Sequence, residues 1–99
     1  MIVVNIIQSD EAKAIEMSDF LLSNKYALHT HIDVNKIYQD GKVINSIRVF
    51  FITKSLLFDV IDAEVRERFY SDDLVIYASP VVHLGKEFGE LVRLKLKAV

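Results

Sequence analysis

The stretch from Tyr26 to Thr53 constrains the fold more than any other. "YALHTHIDVNKIY" alternates, "QDGK" carries the Asp40-Gly41 pair that a type I′ turn favours, and "VINSIRVFFIT" returns as the partner strand. A period of two puts Leu28, Thr30, Ile32 and Val34 on one face and Ala27, His29, His31 and Asp33 on the other. A strand from Tyr26 to Tyr38 spans about 43 Å. A globule built from a chain of this length is only about 33 Å across. The hairpin is therefore expected to overhang its own domain, exposing edges and apolar surface that a neighbouring subunit would cover.

The flanking segments supply the rest of a sheet and its helices. "IVVNIIQ", residues 2–8, is β-branched and reads as a strand buried on both faces. In "SDEAKAIEMSDFLLSNK", Ser9 or Asp10 can cap a helix whose apolar stripe is Ala14, Met17 and Leu21, ending near Asn24. "SLLFDVIDAEVRERFY" repeats Leu57, Ile61, Val65 and Phe69 at every fourth residue. Asp62 with Arg66 and Glu64 with Arg68 are expected as i, i+4 pairs on its wet side. "LVIYASPVV" reads as a fourth strand, with Pro80 at its end or on an edge. "GKEFGELVRLKLKA" reads as a closing helix, although "RLKLKAV" also alternates like a strand. The order β-α-β-β-α-β plus a terminal helix predicts an α+β, ferredoxin-like antiparallel sheet, in one domain over residues 1–99.

Function classes narrow by composition. Ninety-nine residues that are 52% hydrophobic leave apolar surface to spare, which again favours an oligomer. A net charge of −2 offers no footprint for nucleic acid; the one cationic cluster, Arg93, Lys95 and Lys97, sits near a helix C-terminus. No cysteine is present, which removes disulfides and thiolate ligands. No apolar run reaches the roughly 18 residues of a membrane span, and "MIVVNIIQ" lacks a cationic start, so a cytoplasmic protein is expected. Nothing assembles a nucleophile, a base and an oxyanion donor, so no enzyme is expected.

The ordered pieces "SDEAKAI", "LLSNKYA", "KIYQDGKV", "FITK" and "FYSDDLVIYASPVV" together resemble the CutA family, covering nearly the whole chain. The resemblance implies a PII-like homotrimer linked to tolerance of divalent cations, and the chain would be a divergent member. The family's hairpin tryptophan and its strand-breaking Pro-Gly are missing from this sequence. Its His-Pro-Tyr becomes Arg68-Phe69-Tyr70, and a late first-strand cysteine falls at Ile6. The Glu that follows the His-Pro-Tyr falls near Asp73 or Leu74, so the family's usual metal ligands do not carry over. Aligned from the first helix, the strand-two cysteine position falls on His29, with His31 beside it.

His29 and His31 are thus the candidate metal ligands. Two imidazoles on one face, about 7 Å apart at the backbone, can share Cu(II), Ni(II) or Zn(II) when further N or O ligands are supplied. His-x-His in a strand also arises easily by chance, and the pair then reads as polar residues on a solvated or interface face. His83 with Glu87 and Glu90 forms a second potential stripe if the last helix starts early. A second function class is a trimeric PII-like signalling or binding module. It would hold a small anionic ligand or a protein partner in inter-subunit clefts, with Lys36, Lys42, Arg48 and Lys54 available to an anion.

Overall fold

In the computed structural model, which describes residues 1–99, the N-terminal strand is one of the two central strands of the sheet. The elements run β1 (Ile2–Gln8), α1 (Glu11–Ser23), β2 (His31–Gln39), β3 (Lys42–Thr53), α2 (Phe58–Phe69), β4 (Val75–Pro80) and α3 (Lys86–Lys95). A single 3₁₀ turn, Ser55–Leu57, leads into α2. The sheet order is β2-β3-β1-β4, and every pairing is antiparallel. This is the ferredoxin-like arrangement that the element order predicts.

Period-two alternation divides the sheet into unlike faces. Val4, Ile6, Val49 and Phe51 point to one side and meet Ala14, Met17 and Leu21 of α1 and Ile61 and Val65 of α2, in a cluster that also takes in Tyr26 and Leu57. The alternate residues Asn5, Arg48, Phe50 and Tyr77 line the other side, which neither α1 nor α2 covers. α1 buries the stripe its sequence predicts, α2 buries Ile61 and Val65 with Phe69 half-buried, and α3 buries only Val92. Asp10 caps α1 by accepting a hydrogen bond from the Lys13 backbone N–H at 3.1 Å.

The hairpin turn follows from two residues. Asp40 and Gly41 take φ of 52° and 74°, the pair of positive values a type I′ turn requires, between the paired residues Gln39 and Lys42. Replacing Gly41 by Val is expected to cost about 1–2 kcal/mol through its Cβ in the left-handed region. A urea-denaturation midpoint lowered against wild type, with an unchanged slope, is the check.

Two sequence expectations need correction. The second strand begins at His31, not Tyr26. The preceding residues are claimed by the core: Tyr26 is 1% exposed, Ala27 is buried, and the Thr53 hydroxyl donates to the Tyr26 carbonyl at 2.6 Å in place of a ladder bond. The Glu64–Arg68 pair does not form. Glu64 instead accepts the Tyr26 hydroxyl at 2.9 Å, and the Arg68 guanidinium lies 4.6 Å from the Phe20 ring centre. The Asp62–Arg66 pair does form, at 2.9 Å. The closing helix is present as expected: "RLKLKAV" is helical as far as Lys95 and turns extended at Leu96, and the Lys97 N–H donates to the Lys25 carbonyl.

The overhang is present even though β2 is shorter than predicted. The molecule measures 45 × 27 × 19 Å, and β2 with β3 reaches past the helices at the turn end. There Val34, Tyr38 and Val43 stand exposed on one side of the ribbon, and Ile37 and Ile44 on the other.

Candidate metal site on the uncovered sheet face

His31 opens β2 opposite Phe50 of β3, and its imidazole stacks on that ring at 4.7 Å between centroids, 15° from parallel. His29 lies just outside the ladder, yet its ring comes to 5.2 Å from that of His31, at 82°. On its far side His29 meets Phe88 of α3 edge to face at 5.6 Å. The two candidate ligands are therefore neighbours, each held by an aromatic ring from another element. Both are exposed to solvent.

Asp33 shares the face with His31 but is otherwise engaged. Its carboxylate accepts the guanidinium of its cross-strand partner Arg48 at 2.5 Å. Arg48 also donates to Asn5 Oδ1 at 3.4 Å and packs 4.4 Å over Phe50. The Asp33 hydrogen bond, more than any other neighbour, pushes the Arg48 pKa further up. The centre of the uncovered face is thus a fixed ion pair set in aromatic surface. Arg48 Nε is buried in it with no acceptor.

No group of three or more His, Asp or Glu side chains in the chain gathers at metal-binding distance. The imidazole pair supplies at most two of the four ligands a tetrahedral ion takes. His83 precedes the start of α3 at Lys86, so it does not join Glu87 and Glu90 on a helical stripe. The basic residues suggested for an anion are mostly occupied. Arg48 holds Asp33, Lys36 donates to Asn45 Oδ1 at 3.1 Å, and Lys54 donates to the Lys97 carbonyl at 3.0 Å.

A feature that sequence reading missed lies at the turn end of the same face. A groove of about 440 Å³ runs between the overhanging ribbon and the loop after α2, with Ile7, Ile37, Ile44 and Val75 among its walls and Asp72 and Asp73 its charged residues. The Ser71 hydroxyl, at 2.6 Å, and after it that of Ser9 hold the Asp73 carboxyl below its usual range, so it stays anionic. The groove forms from residues about 30 positions apart that only the strand order brings together.

Comparison with solved structures places this architecture. The chain superposes on CutA1 from Pyrococcus horikoshii with a TM-score of 0.88 at 16% identity, covering 99% of this chain and 100% of that one. It is similar to the divalent cation tolerance protein of Thermus thermophilus, at 0.80 and 18% identity over 98% and 100% of the two chains. The periplasmic divalent cation tolerance protein CutA of Archaeoglobus fulgidus gives 0.82 and 20%, again over 98% and 100%. No family model and no curated protein sequence matches the chain. At these identities the likeness is one of fold, and the fold is that of the CutA proteins from end to end.

Proposed function

We propose that this chain is a divergent, non-enzymatic CutA protein acting in tolerance of divalent cations. In this reading it is a homotrimer, and residues 1–99 make up one domain of it. The observation that carries the reading is the end-to-end superposition on CutA1, at a TM-score of 0.88 with both chains covered almost completely. An apolar ribbon projecting beyond the helices, and a sheet face left open, are the surfaces such an assembly would cover.

His29 and His31 supply a weak bidentate grip for Cu(II) or Zn(II), completed by water or by groups from a neighbouring copy. No helix of the chain is long and apolar enough to cross a membrane. A cytoplasmic site of action is part of the proposal; the Archaeoglobus protein of the same fold is described as periplasmic.

Native mass spectrometry with and without slight excesses of Cu(II) and Zn(II) tests all of this. The expected result is a trimer that takes up metal in multiples of three, with uptake abolished by His29→Ala/His31→Ala. A trimer that remains metal-free removes the histidine site and keeps the architecture. A monomer removes the trimeric reading.

A further inference from the structure

At the end of β3 opposite the hairpin turn lies a second cavity, which the metal reading does not use. It measures about 290 Å³ and is lined by Met1, Lys54, Ser55, Leu56, Arg93 and Val99. Two of those side chains are cationic and none is acidic, in a chain whose net charge is −2. The chain's two ion pairs, Asp33–Arg48 and Asp62–Arg66, lie elsewhere, so neither Lys54 nor Arg93 has a carboxylate partner.

Three segments bring these residues together. Lys54 follows β3 directly, Ser55 and Leu56 begin the 3₁₀ turn that runs into α2, and Arg93 stands in the last turn of α3. The tail after α3 is pinned on both sides. The Lys97 N–H donates to the Lys25 carbonyl at 2.8 Å, and the Lys97 carbonyl accepts Lys54 Nζ at 3.0 Å. That carbonyl is neutral and takes one of three ammonium donors, so Lys54 keeps its charge and two donors for a ligand. The dipole of α3 favours a cation at Arg93, but it gives no reason for Lys54 to stand at the same cavity. Beside the two cations, Leu56 and Val99 are apolar surface without cover, 77% and 63% exposed.

We infer that this cavity binds a small organic phosphate monoester, its phosphate between Lys54 and Arg93 and its apolar substituent against Leu56 and Val99. A monoester carries a charge of about −1.5 to −2 at neutral pH, which matches two cations where a carboxylate would match one. Arg93 offers a planar fork for two phosphate oxygens, and Lys54 a point charge beside it. The Ser55 hydroxyl adds a neutral donor at the same wall. The volume falls at the small end of ligand sites, which start at about 300 Å³, so the ligand is a small one. All the lining residues come from one chain, and the inference is independent of the trimeric reading and of the histidine pair.

Phenyl phosphate is the probe, titrated by isothermal calorimetry, with heteronuclear NMR following the amide signals of Ser55, Leu56 and Arg93. Saturable binding that shifts those signals and weakens with added salt is the expected result. Lys54→Gln and, separately, Arg93→Gln are each expected to raise Kd by about tenfold or more. Lys36→Gln/Lys42→Gln removes charge from the ribbon instead and is expected to leave Kd unchanged. Should Lys54→Gln loosen the tail that Lys54 holds, Arg93→Gln reads the site alone, since Arg93 is exposed and makes no ion pair. Leu56→Ala is expected to weaken phenyl phosphate and not inorganic phosphate. Absence of saturable binding overturns the inference, as does binding that Arg93→Gln leaves unaltered. Inorganic phosphate bound as tightly as phenyl phosphate overturns the ester assignment, and benzoate bound more tightly overturns the choice of phosphate over carboxylate.

Discussion

Tyr26→Ala is expected to lower the unfolding free energy by about 3–5 kcal/mol, a large share of the roughly 5–15 kcal/mol that holds a domain of this kind together. The side chain is 1% exposed and joins three parts of the structure. Its ring packs edge to face with Phe20 of α1 at 6.2 Å, its hydroxyl donates to Glu64 of α2, and the Lys97 ammonium lies 5.9 Å from the ring centre. Removing the ring leaves a cavity where α1, α2 and the tail of α3 converge. Equilibrium urea unfolding at fixed protein concentration measures the loss; a cost below about 1 kcal/mol would mean the site collapses and the convergence is not a stabilising one.

Tyr26→Phe separates ring from hydroxyl and adds a pH signature. Burial first, and then the hydrogen bond to Glu64, raise the pKa of the phenol above its ordinary value of 10.0. The folded state therefore keeps the proton when the unfolded state has begun to lose it. The resulting stability is full below about pH 10 and is lost as pH rises from there through the raised folded value. Wild type should lose stability in that window and Tyr26→Phe should not show this component.

Thr53→Val is expected to cost about 1–3 kcal/mol despite its near-identical shape. Thr53 is 0% exposed, and its hydroxyl reaches the Tyr26 carbonyl at 2.6 Å across the gap where β2 has left the ladder. Valine fills the same space without a donor, so the buried carbonyl loses its partner. Hydrogen exchange should show faster opening around Tyr26 and Ala27, while the β1–β3 ladder keeps its protection. Equal loosening of β1 would place the effect in the whole core instead.

These two residues also show where sequence reading stops. The hairpin turn was legible because Asp40-Gly41 is a local signal, and the helix stripes were legible because Ala14, Met17, Leu21, Ile61 and Val65 keep their period. The start of β2 was not. "YALHT" alternates like the strand after it, and only the packing of Tyr26 against α2 removes it from the ladder. Glu64 reads as the partner of Arg68 on a helical wheel because the wheel does not show a tyrosine arriving from another part of the chain. For the candidate site, the rings of His29 and His31 are neighbours at 5.2 Å, although His29 lies outside the strand that the same-face spacing assumed. The rings that hold them, Phe50 and Phe88, and the groove beside Ile37 depend on pairings between distant segments that no local pattern encodes.

The position of β1 also bears on how the chain is made. Of the four strands, β1 is synthesised first and lies in the interior of the sheet, flanked by β3 on one side and β4 on the other. Its register with β4 pairs Ile2 with Pro80, so the two-sided burial of β1 needs the last of the four strands to have been synthesised. At about 5–20 residues per second, the interval between completing β1 and completing β4 is roughly 4–14 s. For that time "IVVNIIQ" has at most one neighbour and one bare, β-branched edge, a segment suited to pairing with another nascent chain. A topology with many distant contacts also slows the final closure. Synthesis therefore passes through a period in which the most apolar strand of the protein depends on being shielded until β4 arrives.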